Sequence, residues 1–400
     1  RQLVLDAEGK WEVVSKPDWC TLSTMSGEKK TELTLTIDAG SESREGEIVF
    51  KLDEYDYTTT CRVAQYYYEH EEDEEITLQT HSRGKGINLV FLGDGFDAEN
   101  ISNGDYLRVM NEQMERFFDI EPYHTYRDYF NVSTAIAVSP ESGIGTVNTI
   151  RNTKFETTFT GEVGLRGNYS TIFNYAMEVS PVDESNLNQS LIIVTPNTID
   201  YGGITEMWTD GSAIAFCPLS EDSYPYDARG IIQHEAGGHG FGKLGDEYIY
   251  HNTFIDFCDC TCCEHVFEFN IAKSLGWYEN LSLTGKMHEV PWSHLIFDDR
   301  YSDVVDIYEG GFMHARGVFR SEQNSCMNNN ISYYNAISRE AIVKRIMEYA
   351  GESYSFEKFV ENDKRDAVNS LSRSAERPGV TVRGNQYAPR IHKGKPDILK

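Results

Sequence analysis

The 400-residue chain lacks any run of eighteen apolar residues, so no membrane-spanning helix is expected. It is short of basic residues. Against 64 aspartates and glutamates stand 36 lysines and arginines, a formal net charge of −28. An acidic surface of this size excludes nucleic acid and anionic membrane as partners, suits an extracellular protein and favours calcium. No internal repeat and no signal-peptide pattern are visible; the chain begins at Arg1, so a trimmed or mature form is expected. Paired C-x-x-C spacing is also missing. Of the eight cysteines, Cys20, Cys61, Cys217 and Cys326 are dispersed, and Cys258, Cys260, Cys262 and Cys263 crowd together. That spacing is not a zinc-finger pattern. Disulfides or free thiols on an exposed loop are expected there in preference to a second, structural metal site.

What is present allows two or three domains. Residues 1–66 alternate apolar and polar in short runs such as Leu33-Thr34-Leu35-Thr36-Ile37, with turn signals at Ser26-Gly27 and Ala39-Gly40. This is the pattern of an Ig-like all-β sandwich. Residues 67–86 are rich in acid and read as a solvated linker. From 87 to 350 strands alternate with helices. Buried strands are expected at 87–96, 129–138 and 190–195, and helices at 105–118, 170–179, 228–242, 264–275 and 336–349. The first of these helices sets Leu107, Met110, Met114 and Phe117 on one face. The chain is therefore α+β, a β-sandwich followed by an α/β layer. Residues 351–400 turn polar and read as a tail, with one last ordered strand or helix at 356–360 and a mobile or surface-wrapping stretch from Ser370 onward.

One stretch concentrates chemistry: His234-Glu235-Ala236-Gly237-Gly238-His239, followed by Gly242, Gly245, Asp246 and Glu247. Zinc takes neutral imidazole and carboxylate, with a position left open for water in catalytic sites. Glu235 between the histidines is placed to take a proton from such a water. The zinc-peptidase signature His-Glu-x-x-His sets its histidines four apart; here they are five apart. On an α-helix five steps leave the rings roughly 140° apart. A π-bulge would restore a common face, and Gly237 and Gly238 would ease it. His294 and His314 are spare imidazoles, read as surface or core.

Read against known families, the motif resembles the His-Glu-x-x-Gly-His form of zinc dipeptidyl peptidases. The run Gly240-Phe241-Gly242-Lys243-Leu244-Gly245-Asp246-Glu247-Tyr248 resembles the bacterial IgA-peptidase family of metzincin-like zinc metallopeptidases. In metzincins a third ligand follows the second histidine by six residues; that position is Gly245, so the ligand falls to Asp246, with Glu247 next in line. The resemblance implies a metzincin-like fold with zinc on His234, His239 and Asp246, Glu235 as base, and Met327 in a turn beneath the metal. Tyr333 or Tyr334 would then donate to the oxyanion, or else pack in the core. The hairpin around 201–216 would border the cleft, its edge strand taking substrate by strand addition.

The words Trp11, Pro17-Asp18-Trp19, Arg44-Glu45-Gly46 and Val63-Ala64-Gln65 resemble the BACON domain, proposed to bind carbohydrate or mucin. Trp11 and Trp19 are expected in the core of that domain. The function so implied is a zinc endopeptidase acting on protein or glycoprotein, with immunoglobulin and mucin among the candidates and carbohydrate contact open to the front domain. It is expected to be secreted, periplasmic or on the cell surface, with a signal peptide or lipid anchor removed. The alternative is a glycan- or mucin-binding surface protein with a vestigial peptidase fold, which the five-residue histidine spacing supports. A third is a narrow peptidase for one cell-envelope peptide.

Overall fold

A computed structural model describes residues 2–40, 44–52, 57–65, 70–255, 262–366 and 388–398. The chain divides into two compact units, 1–70 and 71–400. In the first, the strands Gln2–Leu5, Thr31–Ile37 and Cys20–Leu22 form one antiparallel sheet. Ser26–Glu28, Lys10–Ser15, Arg44–Leu52 and Tyr57–Gln65 form another. Both sheets feed one core: Cys20, Leu22, Leu33 and Leu35 from the first, Trp11, Ile48, Phe50 and Val63 from the second. Alternation along each strand is what makes a sandwich, because every second side chain faces the partner sheet. Trp11 is buried in this core, while Trp19 is only partly covered and carries the Arg44 guanidinium 4.7 Å over its ring.

The second unit is built on a seven-stranded mixed sheet. Its strands in chain order are β1 (Glu75–Gln79), β2 (Ile87–Asp94), β3 (Phe130–Ala135), β4 (Leu191–Pro196), β5 (Ile204–Trp208), β6 (Ala213–Phe216) and, from the far end of the chain, β7 (Arg390–His392). Across the sheet they lie β7-β5-β6-β4-β2-β3-β1. β6, β4, β2 and β3 are parallel neighbours. Helices cover such strands, so β4 is apolar and buried at nearly every position. Helix α1 (Asp105–Phe118) packs on β2, with Leu107, Met110, Met114 and Phe117 buried. Helix α2 (Tyr169–Glu178) starts on Asn168, whose side chain accepts from the Thr171 amide.

Two expectations change here. The acidic stretch 67–86 is not all linker, because β1 lies within it and pairs antiparallel with β3. Strand pairing outweighs surface charge on an edge whose outer face stays in water. The polar tail also adds a strand: beyond the ordered element expected at 356–360, which is a helix (Phe356–Asn362) capped by Ser355, β7 pairs in parallel with β5. Glu206 of β5 is fully buried and accepts from Arg390 at 3.1 Å, His392 at 2.7 Å and Tyr169 at 2.7 Å. The stretch of tail at 367–387 lies outside the described residues, as do Cys258 and Cys260. No described helix is long and apolar enough to cross a membrane.

Helix α3 (Ala336–Ala350) closes the unit. Its buried Glu340 is held by His294 at 2.7 Å, Tyr354 at 2.8 Å and Lys344 at 3.0 Å. Burial works to raise the pKa of this carboxyl, yet these three partners win and hold it below its ordinary 4.5. A depressed carboxylate stabilises the fold above its unfolded pKa, and the contribution fades as pH falls through the lower folded value. Glu340→Ala should therefore cost about 3 kcal/mol at neutral pH. In urea unfolding the gap to the parent chain should narrow once the pH drops below about 4; a pH-independent gap would contradict this.

Candidate metal centre

Asp227 begins the motif helix, its carboxylate accepting from the Gly230 amide at 3.0 Å. One α-helical turn, Ala228–Ile232, then passes directly into a π-helix, Gln233–Phe241. The Gly242 amide donates to the Gly237 carbonyl at 2.9 Å, five residues back. A helix that closes its rings at five places residues five apart on one face. The His234 and His239 rings accordingly meet, their centroids 4.8 Å apart. The glycines serve a purpose other than the expected one. A Cβ on Gly238 would stand 2.2 Å from Met327 Sδ, and one on Gly237 2.5 Å from the Tyr334 hydroxyl. Neither glycine has a positive φ. They are there for close approach, and the wide helix is held by what presses on it. Gln233 adds an anchor, donating to the Arg116 and Asp119 carbonyls at the end of α1.

Each imidazole is oriented by a main-chain carbonyl. His234 Nδ1 donates to Cys326 O at 2.9 Å, and His239 Nδ1 to Leu244 O at 2.7 Å. With both Nδ1 protonated, both Nε2 atoms are free to offer lone pairs inward. They lie 3.1 Å from each other, and each lies 3.1 Å from Asp246 Oδ1. The other oxygen, Asp246 Oδ2, is buried with no hydrogen-bond partner. Among the described residues His234, His239 and Asp246 are the one group of three such ligands that converges, so the calcium expectation gains no site of that kind. Two imidazoles and a carboxylate match the donor set of a catalytic zinc site, and a buried carboxylate oxygen without a hydrogen-bond partner suits a cation held among them. Burial lowers the His234 pKa, but the Asp246 carboxylate overrides it and lifts the ring to about 9. Burial raises the Asp246 pKa, but the two histidines overcome it and hold the carboxyl at about 2.

Glu235 lies on the same helix, nearly buried. Thr205 Oγ1 of β5 sits 2.9 Å from Glu235 Oε2 and 2.9 Å from the Glu235 carbonyl, so one hydroxyl fixes both side chain and backbone. Burial pushes the Glu235 pKa upward. A small cleft opens beside it, lined by Tyr201, Gly202, Gly203, His234, Glu235 and Tyr248. A Cβ on Gly203 would come 3.0 Å from Glu235 Cγ, so glycine there keeps the carboxylate reachable. The Tyr248 ring stacks beside His234 at 6.4 Å.

Other expected residues lie elsewhere. Glu247 points away from the histidines; it accepts from Asn280 at 2.9 Å, Asn335 at 2.6 Å and Ser325 at 2.5 Å. Burial raises its pKa. It braces the loop that carries Asp246, and Asn335 in turn caps α3. Tyr334 is corrected from an oxyanion donor to a packing residue, its hydroxyl spent on the Gln233 carbonyl. Tyr333 is corrected likewise: its ring lies under the Arg365 guanidinium, 4.1 Å away, and it lines a different pocket with Asp303, Tyr308 and Glu322. Met327 is buried beneath Gly238, and its carbonyl accepts from the Glu247 amide at 2.8 Å. The expected open edge of the 201–216 hairpin is taken at Glu206–Trp208 by β7. Sequence reading missed Thr205, which carries no motif signal, and Tyr248, whose place directly after Asp246-Glu247 could have drawn attention.

Residues 76–272 match the sequence family described as IgA Peptidase M64. Residues 9–65 match one described as a putative N-terminal binding domain, BACON. No curated protein matches the chain. Among solved structures, a Bacteroides ovatus GH5 xyloglucanase in complex with a XXXG heptasaccharide is 17% identical over 24% of this chain and 24% of its own, with a TM-score of 0.16. An alignment so short and loose carries no argument.

The two adjacent carboxylates should separate cleanly on substitution. Asp246→Asn should weaken zinc binding by more than about 100-fold, beyond the range of outer-shell changes. Glu247→Ala strands three buried donors and should cost about 3 kcal/mol in denaturant unfolding. Loss of zinc on changing Glu247, with Asp246→Asn unaffected, would reverse the assignment.

Proposed function

We propose that this chain, which over residues 76–272 matches the IgA peptidase M64 family, is a secreted zinc-dependent endopeptidase. The observation that carries the proposal is the convergence of His234 Nε2, His239 Nε2 and Asp246 Oδ1 beside Glu235. These three residues would hold the zinc. Zinc bound there supplies Lewis acidity, polarising the scissile carbonyl and making a water more acidic. Glu235 takes the proton of the attacking water on its carboxylate, with Thr205 holding the group in place. It then delivers that proton to the departing amine, acting first as base and then as acid. Gly203 leaves room for a peptide main chain next to Glu235, where a side chain would crowd the carboxylate. Tyr248 stays protonated, because burial pushes its pKa well up, and so keeps donor character at the cleft.

The substrate is a protein or glycoprotein. Immunoglobulin and mucin remain candidates on family grounds, and carbohydrate contact by the BACON domain would bring glycosylated substrates closer. That contact would not use Trp11, which is committed to the sandwich core. The rival reading of a vestigial fold leaned on the five-residue histidine spacing, and the π-helix removes that support.

Glu235→Gln should lower kcat on an unfolded protein substrate by about 100- to 10,000-fold while zinc content is unchanged. Chelation of the parent chain should remove the activity and added zinc restore it. Full turnover in the variant, or indifference to chelation, would defeat the proposal.

A further inference from the structure

A second buried oxygen without a partner lies in the cleft wall. The helical turn Cys326–Asn329 ends on Asn330, whose backbone is left-handed at φ 56° and ψ 16°. The Asn330 amide closes the turn by donating to the Cys326 carbonyl at 2.9 Å. Asparagine tolerates that backbone because its short polar side chain can bond to local groups. The two asparagines before it use their side chains in that way. Asn328 donates to the Gln323 carbonyl and to Asn324 Oδ1, and Asn329 donates to Asn324 Oδ1. Asn330 departs from them. It is 3% exposed, yet its Oδ1 meets no donor among the described residues. It lines the cleft with Tyr201, Gly203, Ile231, His234 and Glu235, and of the side chains there it alone leaves a buried polar atom unpaired. Leaving a buried acceptor unpaired is costly, so such an atom calls for a partner from outside the fold.

The backbone around Asn330 is braced. The Ser332 amide donates to the Tyr224 hydroxyl at 2.6 Å, and that hydroxyl donates to Ser332 Oγ at 3.2 Å. The Tyr224 ring in turn carries the Arg229 guanidinium 4.5 Å over its face. A Cβ on Gly230 would come 3.3 Å from the Asn330 carbonyl oxygen, so the first turn of the motif helix also presses on this residue. A carboxamide presented from such a frame loses little freedom when it binds.

A carboxamide sets an acceptor and donors in one plane, as a peptide bond does, and has no charge with which to select an ionic side chain. Gly203, in the same cleft, admits main chain beside Glu235. Given the peptidase reading above, on which this assignment rests, we propose that Asn330 is a substrate-binding residue. Its Oδ1 accepts from one main-chain N–H of the bound peptide close to the scissile bond and so keeps that bond in register with Glu235. The cleft reads backbone at this point. Proline has no N–H to offer, so it is rejected at the one substrate position that faces Asn330.

The test uses the zinc-loaded full chain and a synthetic peptide spanning the bond that the parent first cuts in reduced, carboxymethylated lactalbumin. Asn330→Gly keeps the left-handed backbone and removes the carboxamide. Its kcat/KM should fall about 10-fold, chiefly through KM, with zinc content and urea midpoint unchanged. Replacing one peptide N–H at a time by an ester oxygen then locates the contact. At one position the ester should cost the parent about 10-fold and cost the Asn330→Gly variant nothing further. Equal kcat/KM in parent and variant, or equal sensitivity to every ester, would overturn the assignment, since position 330 would then serve the backbone alone. Should the variant fail to fold, the parent decides: the assignment falls if no ester costs it more than about twofold. A parent that cuts neither protein nor peptide defeats the peptidase reading itself.

Discussion

Three acceptor atoms held 3.1 Å apart are the constraint on which the rest of this unit depends. Two imidazole lone pairs and a carboxylate oxygen repel one another unless positive charge lies among them, whether a metal cation or the proton that Asp246 favours on His234. A buried, water-poor setting sharpens that repulsion, since the effective dielectric is low. The fold therefore has to keep the three from relaxing apart. It does so with main-chain carbonyls behind each ring and with the Glu247 network behind the Asp246 loop. These supports come from distant parts of the sequence: the Met327 turn, Asn280, and the start of α3. The site is thus a property of the whole second unit, although its ligands span only thirteen residues, 234 to 246.

The π-helix shows how an unfavourable local geometry is kept. Glycine-rich and wide, it has poor intrinsic stability, because each glycine costs ~1 kcal/mol against alanine. It is buried throughout, lying against β5 and β6 on one side and against Met327 and Tyr334 on another. Tertiary packing supplies what local propensity withholds, as it does for most protein helices.

Much of this architecture could be read in advance. The helices at 105–118, 170–179, 228–242 and 336–349 and the buried strands announced themselves by period and length. His234, Glu235, His239 and Asp246 were legible because metal chemistry restricts residue type and spacing together. What escaped were features with no periodic signature. Thr205 is one threonine in an apolar strand, and its hydroxyl meets Glu235 only through tertiary approach. Tyr333 and Tyr334 sat in a plausible place along the chain, yet a hydroxyl's direction depends on packing. β1 and β7 are short and polar, and what makes them strands is the neighbour they pair with.

That last strand has a structural consequence of its own. β7 seals the hydrogen-bonding rim of β5, and in doing so it surrounds Glu206 with Arg390 and His392. Peeling it away would expose a ladder of unsatisfied amides, the kind of border on which foreign chains nucleate, and would take from Glu206 its ion pair with Arg390 and its hydrogen bond to His392. The electrostatic penalty at Glu206 therefore acts as a latch, making detachment of three residues far harder than their length suggests. A sheet finished this way polices its own growth.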